Sequence, residues 1–373
     1  MSVEIQPYSS TLHPEISEGI SFQFTIQHSS GARFSVINYG ATITSLFVED
    51  RLGNKDDIVL GFSCLDDYMA NGACHGAIVG RHANRIKGAE FSIGEKTFHL
   101  PKNDGSNNLH GGSPSFQNIF WNGKVISAKE AAGFLAESHI QNGFEVEGDA
   151  VLLTCTSQDG ACGFPGNLDV SVMYAWSADR TLLIVYRGES DQDTLFNPTN
   201  HAYFNLHGHD SGSVDRHILW LNTKTMTRKD AENIPDGTLE DVSGTIFDFT
   251  TPAPIGPTMT DPNPQLVSSK GIDQNYCLST RHDAVSLTAR LAEPDSGRVM
   301  EVITNSPGIQ VYSGNHIGGY TGKSGTEYVP YGGVCLETQL YPDSIHHPAF
   351  PSPILPAHKP CFYITGYRYL LES

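Results

Sequence analysis

Val170-Ser-Val-Met-Tyr-Ala-Trp-Ser-Ala-Asp-Arg-Thr-Leu-Leu-Ile-Val-Tyr186 is the stretch of sequence that decides the fold. Every second residue in 170–176 is large and apolar, so these side chains share one face of an extended chain. Residues 177–180 form a polar break, and the alternation resumes in residues 182–186. This pattern predicts two antiparallel strands joined by a turn, with one face buried.

The same alternation recurs along the chain and predicts a protein built mostly of β-strands. It is found in residues 21–27 and 289–314, the latter around the turn Glu293-Pro-Asp-Ser-Gly297. Gly94-Glu95 separates two further β-type runs and predicts a hairpin. No segment longer than about twelve residues has a 3.6-residue period, so helices should be few and short. Since no change of composition divides the chain, we predict one all-β, antiparallel domain over residues 1–373.

Two local features give more specific expectations. Residues 64–68 could form a short helix, with Ser63 as a possible N-cap. Residues 251–264 contain five prolines. Because proline cannot donate to a sheet ladder, we expect that segment to be a surface loop.

The charge balance limits the classes of partner. With 23 Lys and Arg against 41 Asp and Glu, the formal net charge is −18. General electrostatics therefore argue against nucleic acid and anionic membranes as partners, but leave neutral ligands open.

Cysteine usage and the chain terminus indicate a location. The seven cysteines are scattered and form no Cys-x-x-Cys pair, which favours reduced thiols over disulfides or a zinc site. Residues 1–11 lack the apolar core of a signal peptide, and no run of 18 apolar residues predicts a membrane span. We therefore expect a cytoplasmic protein.

A candidate proton carrier lies in Asn197-Pro-Thr-Asn-His-Ala-Tyr-Phe-Asn-Leu206. Pro198 ends the preceding segment, and His201 follows among amides, a hydroxyl and two aromatic rings. A histidine in this setting can exchange a proton near neutral pH. The alternative is a hydrogen-bonded histidine of a β core, which is the more common situation for a single histidine.

Glu337 is a carboxylate in a predicted buried strand, because it follows the apolar run Val334-Cys-Leu336. Burying a carboxylate costs several kcal/mol unless it is paired. One interpretation is therefore a structural ion pair with Arg85. The other is a catalytic base with a raised pKa.

Further polar residues lie in segments rich in glycine, asparagine and proline: Asn84, Arg85, His110, Asp273 and Gln310. No nucleotide-binding glycine motif and no Gly-x-Ser-x-Gly elbow is present. The two dense histidine sites, His207-Gly-His209 and His346-His347, lack metal-ligand spacing, so no metal and no cofactor is expected. These side chains suit acid/base chemistry on a neutral polyhydroxy ligand.

Five motifs, in this order, resemble the aldose 1-epimerase (galactose mutarotase) family: Gly80-Arg-His-Ala-Asn-Arg-Ile86, Asn108-Leu-His-Gly-Gly112, Pro198-Thr-Asn-His-Ala-Tyr-Phe-Asn-Leu206, Ile272-Asp-Gln-Asn-Tyr276, and Leu336-Glu-Thr-Gln339 with Pro342-Asp343. The resemblance implies a single large β-sandwich (supersandwich) without a cofactor. It also implies interconversion of the α- and β-anomers of free hexoses such as galactose and glucose.

The resemblance also implies roles for single residues. Glu337 matches the base that acts on O1, and His201 matches the acid that acts on the ring oxygen O5. Matching sugar-contacting positions are Asn84, Arg85, His110, Tyr203, Asp273 and Gln310. We further expect Asn200, Tyr203 and Asn205 to orient His201, and a His201 pKa near its ordinary value. A monomer or weak dimer is expected.

Two positions depart from the family pattern, and three other functions remain as alternatives. Gln274 and His346-His347 depart from the family pattern beside the motifs, so we expect them to affect the cleft rim. The alternative functions are a glycoside hydrolase using Glu337 and Asp273, a hexose-phosphate epimerase, and a non-catalytic sugar-binding protein.

Overall fold

The structure is a computed structural model that describes residues 2–13 and 20–372. The first strands are β1 (Glu4–Pro7), β2 (Phe22–Gln27), β3 (Arg33–Ile37), β4 (Thr42–Glu49), β5 (Lys55–Asp57), β6 (Ile78–Val79), β7 (Arg85–Ile86), β8 (Glu90–Ile93), β9 (Lys96–His99) and β10 (Asn108–Leu109). They are followed by β11 (Asn122–Ile126), β12 (Val146–Ser157), β13 (Leu168–Ser177), β14 (Thr181–Ser190), β15 (Thr194–Leu195), β16 (Thr199–Asn200), β17 (Ile218–Leu221), β18 (Thr225–Lys229), β19 (Pro235–Asp241) and β20 (Ala253–Pro254). The last are β21 (Asp273–Cys277), β22 (Ser286–Ala292), β23 (Arg298–Thr304), β24 (Gly308–Tyr312), β25 (Cys335–Gln339), β26 (Ile354–Leu355) and β27 (Cys361–Leu371).

The helices of the described residues are short: α1 (Leu65–Met69), α2 (Ala128–Glu137), α3 (Gly256–Met259) and α4 (Pro264–Val267). The prediction of an all-β fold with few short helices is confirmed. None of the described helices is long and apolar enough to cross a membrane.

Three larger antiparallel sheets make up the sandwich. The central sheet has nine strands in the order β11-β12-β13-β14-β27-β23-β22-β17-β20. A five-stranded sheet has the order β1-β2-β3-β4-β5, and a second has the order β19-β18-β21-β24-β25. One apolar cluster joins side chains from all three sheets, including Phe34, Tyr174 and Leu336. Both five-stranded sheets therefore bury apolar side chains in the same core as the central sheet.

The decisive stretch forms the predicted hairpin, β13 and β14. Tyr174 lies opposite Ile184, and Trp176 lies opposite Leu182. The two aromatic side chains also reach the N-terminal sheet, because the Tyr174 hydroxyl donates to the Ala41 carbonyl at 2.6 Å and Trp176 Nε1 donates to the Ile26 carbonyl at 3.0 Å. The buried hydroxyl of Tyr174 and the indole N–H of Trp176 are thus hydrogen-bonded across the sandwich.

The reverse face of β13 and β14 is also buried, which the sequence alternation did not predict. Met173, Leu183 and Val185 pack in a second cluster with Ala131 and Leu135 of α2. That helix begins at a capping box in which Ser127 and Glu130 exchange hydrogen bonds. Its ten residues were below the length at which a helical period stands out.

Three local predictions had different outcomes. The Gly94-Glu95 hairpin is confirmed by the pairing of β8 with β9. The short helix is confirmed as α1, but the Ser63 cap is wrong: Cys64 is the N-cap and makes no side-chain capping bond. The surface-loop prediction for residues 251–264 is also wrong in part, since this segment contains β20 and α3. β20 is an edge strand, where proline is tolerated.

Candidate active site

All eight predicted site residues line one open cleft of about 460 Å³: Asn84, Arg85, His110, His201, Tyr203, Asp273, Gln310 and Glu337. This volume lies in the range of small-molecule pockets. The cleft is strongly polar, which suits a hydroxyl-rich ligand better than an apolar one. Side chains that are distant in sequence thus meet in one place.

The floor of the cleft is one face of the second five-stranded sheet. Gln310 of β24 lies opposite Glu337 of β25 and, on its other side, opposite Asn275 of β21. Tyr312 likewise lies between Asp273 and Cys335. Because strand side chains alternate between faces, the residues between these positions point into the core. One face of the sheet is therefore polar, and the other is mostly apolar.

His201 is held over this floor by its own backbone. Its N–H donates to the Ala77 carbonyl, and its carbonyl accepts from the Gly76 N–H, each at 2.9 Å. Its Nε2 then lies 3.6 Å from Glu337 Oε1. Both side chains are buried, with 6% of His201 and 2% of Glu337 exposed. Two proton-exchanging groups are thus adjacent at the bottom of the cleft.

Burial moves the pKa values of this pair in opposite directions. It lowers the pKa of His201 to about 4. It also raises the pKa of Glu337 well above its ordinary value, and the negative charge of Asp273 adds to this rise. Burial therefore favours the neutral imidazole of His201 and the protonated carboxyl of Glu337. The expectation of a His201 pKa near its ordinary value is wrong, because burial of the ring outweighs the nearby charges.

The other nitrogen of His201 contacts a thiol. Nδ1 lies 3.5 Å from Cys335 Sγ. Burial raises the pKa of the Cys335 thiol well above its ordinary value, so the sulfur keeps its proton. An S–H that donates to Nδ1 leaves the ring proton on Nε2, which faces Glu337. In the neutral ring the thiol thus favours Nε2–H, whereas a charged ring that gives up its Nε2 proton keeps Nδ1–H, which then donates to the sulfur.

Arg85 pairs with aspartates and not with Glu337, so the proposed structural ion pair is wrong. Its Nε donates to Asp104 at 2.7 Å, and its Nη1 lies 3.6 Å from Asp273. Gln310 Nε2 also donates to Asp273, at 2.6 Å. Burial alone would raise the pKa of Asp273, but Lys229, Arg85 and this amide together lower it. Asp273 is therefore an ionised acceptor fixed in orientation.

His110 and Asn84 are locked together on the opposite wall. The His110 N–H donates to the Asn84 carbonyl at 3.0 Å, and the Asn84 N–H donates to His110 Nδ1 at 3.2 Å. A neutral ring that accepts at Nδ1 carries its proton on Nε2. The pKa of His110 is well below its ordinary value, first because of burial and then because of His201 and Arg85. His110 is thus a neutral hydrogen-bond donor.

Glycine is required directly after His110. Gly111 has a φ of +79°, and a Cβ there would lie 2.3 Å from the Gly80 carbonyl oxygen. The Leu-His-Gly-Gly motif therefore has a steric cause as well as a chemical one.

The expected orienting residues of His201 have other roles. Asn200 donates to the Gly76 carbonyl and Asn205 donates to the Gly212 and Gly332 carbonyls, so both brace backbone and do not contact the ring. The Tyr203 hydroxyl donates to the Ala73 carbonyl at 3.0 Å, whereas its ring centroid lies 5.0 Å from that of His201. Tyr203 therefore offers its ring to the cleft.

Sequence reasoning missed other residues in and around the site, and four of them bear on its chemistry. Tyr312 and Asp104 line the cleft, and Cys335 contacts His201. Tyr312 and Cys335 lie two residues from Gln310 and Glu337, so the two-residue period of a strand could have indicated both. Lys229 donates to Ser269 Oγ and to the Asp273 carbonyl. Burial lowers its pKa to about 8, and no local motif signals it.

The two departures from the family pattern lie away from the cleft, so the expectation that they alter its rim is wrong. Gln274 is buried and donates to the Thr227 carbonyl at 2.8 Å. His346 Nδ1 lies 2.6 Å from an oxygen of buried Asp343. The backbone N–H of Asp343 in turn donates to the Arg85 carbonyl. His346 thus supports the strand of Arg85 from behind.

Comparisons with known proteins identify the family. The family model described as aldose 1-epimerase matches residues 23–368. The galactose mutarotase of Bos taurus is 36% identical over 355 residues, covering 95% of each chain. The aldose 1-epimerase of Escherichia coli K12 is 30% identical over 346 residues, covering 92% of each chain.

A solved structure supports the fold. The galactose 1-epimerase of Lactobacillus acidophilus superimposes with a TM-score of 0.82 over 100% of both chains, at 23% identity. With its motifs, its sandwich and its sequence relatives in agreement, the chain belongs to the aldose 1-epimerase family.

Proposed function

We propose that this protein interconverts the α- and β-anomers of free hexoses, galactose and glucose among them, by opening and reclosing the sugar ring. One observation carries the proposal: Glu337 Oε1 and His201 Nε2 lie 3.6 Å apart at the bottom of an open polar cleft. One group acts on the O1 hydroxyl and the other on the ring oxygen O5. The sequence relatives named galactose mutarotase support the same reaction.

Ring opening needs one proton to leave O1 and one to arrive at O5. Glu337, as the carboxylate, takes the O1 proton while His201 donates from Nε2 to O5. The C1–O5 bond then breaks and an open-chain aldehyde forms. Each positioned transfer contributes about 10²–10⁴-fold to the rate.

The pKa shifts of the pair favour the middle of this reaction. After both transfers Glu337 and His201 are neutral, which is the state that burial favours for each. Before ring opening the pair must hold charges. A sugar hydroxyl donating to Glu337 stabilises its ionised form, and the negative charge of Asp273 raises the pKa of His201.

Ring closure reverses the two roles. After rotation about C1–C2, His201 Nε2 takes the proton from O5 and Glu337 returns one to O1, which produces the other anomer. The pair holds one proton before and after the cycle. The reaction therefore needs no exchange with solvent.

The remaining cleft groups position the sugar. Ionised Asp273 accepts hydroxyl protons, and neutral His110 donates from Nε2. Glu337 Oε2 and Gln310 Oε1 are buried acceptors without a partner among the described residues. Since unpaired buried acceptors cost about 1–3 kcal/mol each, sugar hydroxyls at these atoms would stabilise the bound state.

The charges favour a neutral sugar over a sugar phosphate. Among the described residues that line the cleft, Arg85 is the only Lys or Arg. Two carboxylates already pair with it. A phosphate would have to compete with both. This observation disfavours the hexose-phosphate alternative.

Polarimetry tests the proposal. Freshly dissolved α-D-galactose or α-D-glucose should lose its excess rotation faster with the wild-type protein than in buffer. Glu337→Gln and His201→Asn should each reduce the catalysed rate by about 10²–10⁴-fold, since each removes one proton transfer. Far-ultraviolet circular dichroism checks that both variants are folded.

Two results would contradict the proposal. One is a wild-type rate equal to that of buffer. The other is release of monosaccharide from an oligosaccharide, followed by chromatography, which would favour the hydrolase that uses Glu337 and Asp273.

We also propose a cytoplasmic, monomeric or weakly dimeric protein folded as one domain over residues 1–373. The seven free cysteines support a reducing compartment. The main core cluster, which contains side chains from Phe24 to Tyr369, supports a single domain.

A further inference from the structure

We propose that His201, Cys335 and Glu337 bind a borderline-soft divalent cation of the Zn²⁺ class, and that the bound cation inhibits the enzyme in competition with the sugar. The inhibition, but not the binding, rests on the proposed function. The cation is an inhibitor in this proposal and takes no part in the reaction.

The three residues offer the donor types that Zn²⁺ prefers. One ligand atom from each, a nitrogen, a sulfur and an oxygen, lies within 4.8 Å of the other two. All three residues are buried. Zn²⁺ binds this combination of imidazole, thiolate and carboxylate, whereas Mg²⁺ and Ca²⁺ prefer oxygen ligands alone.

The nitrogen and sulfur positions match those around a tetrahedral zinc ion. His201 Nδ1 and Cys335 Sγ are 3.5 Å apart. Bonds of roughly 2.0–2.1 Å to nitrogen and 2.3 Å to sulfur, at a tetrahedral angle, separate those two atoms by about 3.6 Å. The nitrogen and the sulfur therefore need almost no movement.

Glu337 supplies the third ligand without losing a hydrogen bond. Its Oε2 is buried and has no partner among the described residues, although only 2% of the residue is exposed. A bound cation would satisfy this atom. Water entering through the open cleft can fill the fourth position.

The cation binds by exchanging its water ligands for protein ligands. The hydrated cation loses water molecules as it forms bonds to the Cys335 sulfur, a His201 nitrogen and a Glu337 oxygen. The thiol proton of Cys335 and the carboxyl proton of Glu337 leave to solvent. Neither His201 nor Glu337 can then exchange a proton with the sugar, so anomerisation stops.

A second cluster, His207, Glu293 and Asp295, must be distinguished from this site. It contains no thiol. Glu293 already accepts from the backbone N–H of Asp295 and Ser296 and contacts His207 Nδ1 at 3.0 Å. A thiolate-to-metal charge-transfer band therefore reports on Cys335 and not on this cluster.

The experiment uses the full-length protein after treatment with a chelator. Zn²⁺ is titrated in the polarimetric assay, and Co²⁺ is titrated while the ultraviolet charge-transfer band is recorded. Cys335→Ala is compared with Cys277→Ala, which removes another buried cysteine outside the cleft. Each variant's inhibition is expressed relative to its own rate without metal.

We expect Zn²⁺ to inhibit the wild type and Cys277→Ala equally, in competition with sugar, and Mg²⁺ to have no effect. Cys335→Ala should weaken the inhibition by on the order of 100-fold or more, because loss of a direct ligand should cost at least as much as loss of a residue that supports one, and should abolish the Co²⁺ band. Equal inhibition of Cys335→Ala, or an active wild type without the band, would overturn the proposal. A Co²⁺ band in a protein without epimerase activity would uphold the metal site and contradict the proposed function.

Discussion

Leu336 and Glu337 are neighbours on β25 and are almost equally buried, with 1% and 2% of each residue exposed, yet they face opposite regions of the molecule. Leu336 packs into the main apolar cluster with Ile309 and Val311. Glu337 faces the cleft, and its Oε2 has no hydrogen-bond partner in the part of the chain that the structure describes. On the core face, burial contributes to stability. On the cleft face, burial raises the pKa of Glu337 and lowers the stability of the fold, because a buried carboxyl is costly.

The largest expected effect is on the core face. Leu336→Ala should lower the free energy of unfolding by about 2–5 kcal/mol, because it leaves a cavity in a packed core. The folded fraction should keep its turnover number. Chemical denaturation followed by fluorescence, together with polarimetry at low temperature, separates the two quantities. A variant that is fully stable but inactive would show that the two faces are not independent.

The matched variant on the cleft face should show the opposite result for stability. Glu337→Gln loses activity, but its melting temperature should stay equal to or exceed that of the wild type. The folded pKa of Glu337 is raised, so the folded state holds this proton more tightly than the unfolded state, and stability falls as pH rises towards the folded pKa. Glutamine does not ionise, so the gain should grow with pH. Thermal melts between pH 5 and pH 9 test this, and a lower melting temperature throughout would contradict it.

A smaller effect is expected for Asp273→Asn. Its negative charge raises the pKa of both Glu337 and His201. Removing the charge should move the pH profile of kcat/KM to lower pH. Loss of a charged hydrogen-bond acceptor, worth about 1.5–3 kcal/mol, should also raise KM.

Asp104→Asn is the control for Asp273→Asn, because Asp104 also pairs with Arg85 but its side chain is 36% exposed. Its pH profile should move much less. A profile that is unchanged in Asp273→Asn, or that moves to higher pH, would show that this charge does not reach the pair.

The smallest expected effect is on the stability of the protein at acidic pH. Burial lowers the pKa of His201, His82 and His217 to about 4 each. The unfolded chain binds these protons first, so stability is complete above the unfolded histidine pKa and is lost as pH falls from about 6.5 towards 4. Melting temperatures over this range should fall less steeply in His201→Asn than in the wild type. Parallel curves would contradict the shift at His201.

Much of the fold could be predicted because period-two patterns are local. In the hairpin of β13 and β14 the residues predicted to share one face lie opposite one another, since turn and alternation together fix which residues face the core. Helix α2 was not predicted, because its apolar face is defined by the sheet that it covers. The ion pair considered for Arg85 was with Glu337, and only the placement of the strands brought Asp104 and Asp273 to it instead.

The sequence by itself determined the strands, the polar motifs and the candidate acid and base, because these depend on residue type and on spacing over a few positions. Only the tertiary structure decided what those residues do to one another. It set His201 Nε2 against Glu337 and Nδ1 against Cys335, 134 residues away. The opposite pKa shifts and the grouping of His201, Cys335 and Glu337 follow from burial and distance, which no local pattern encodes.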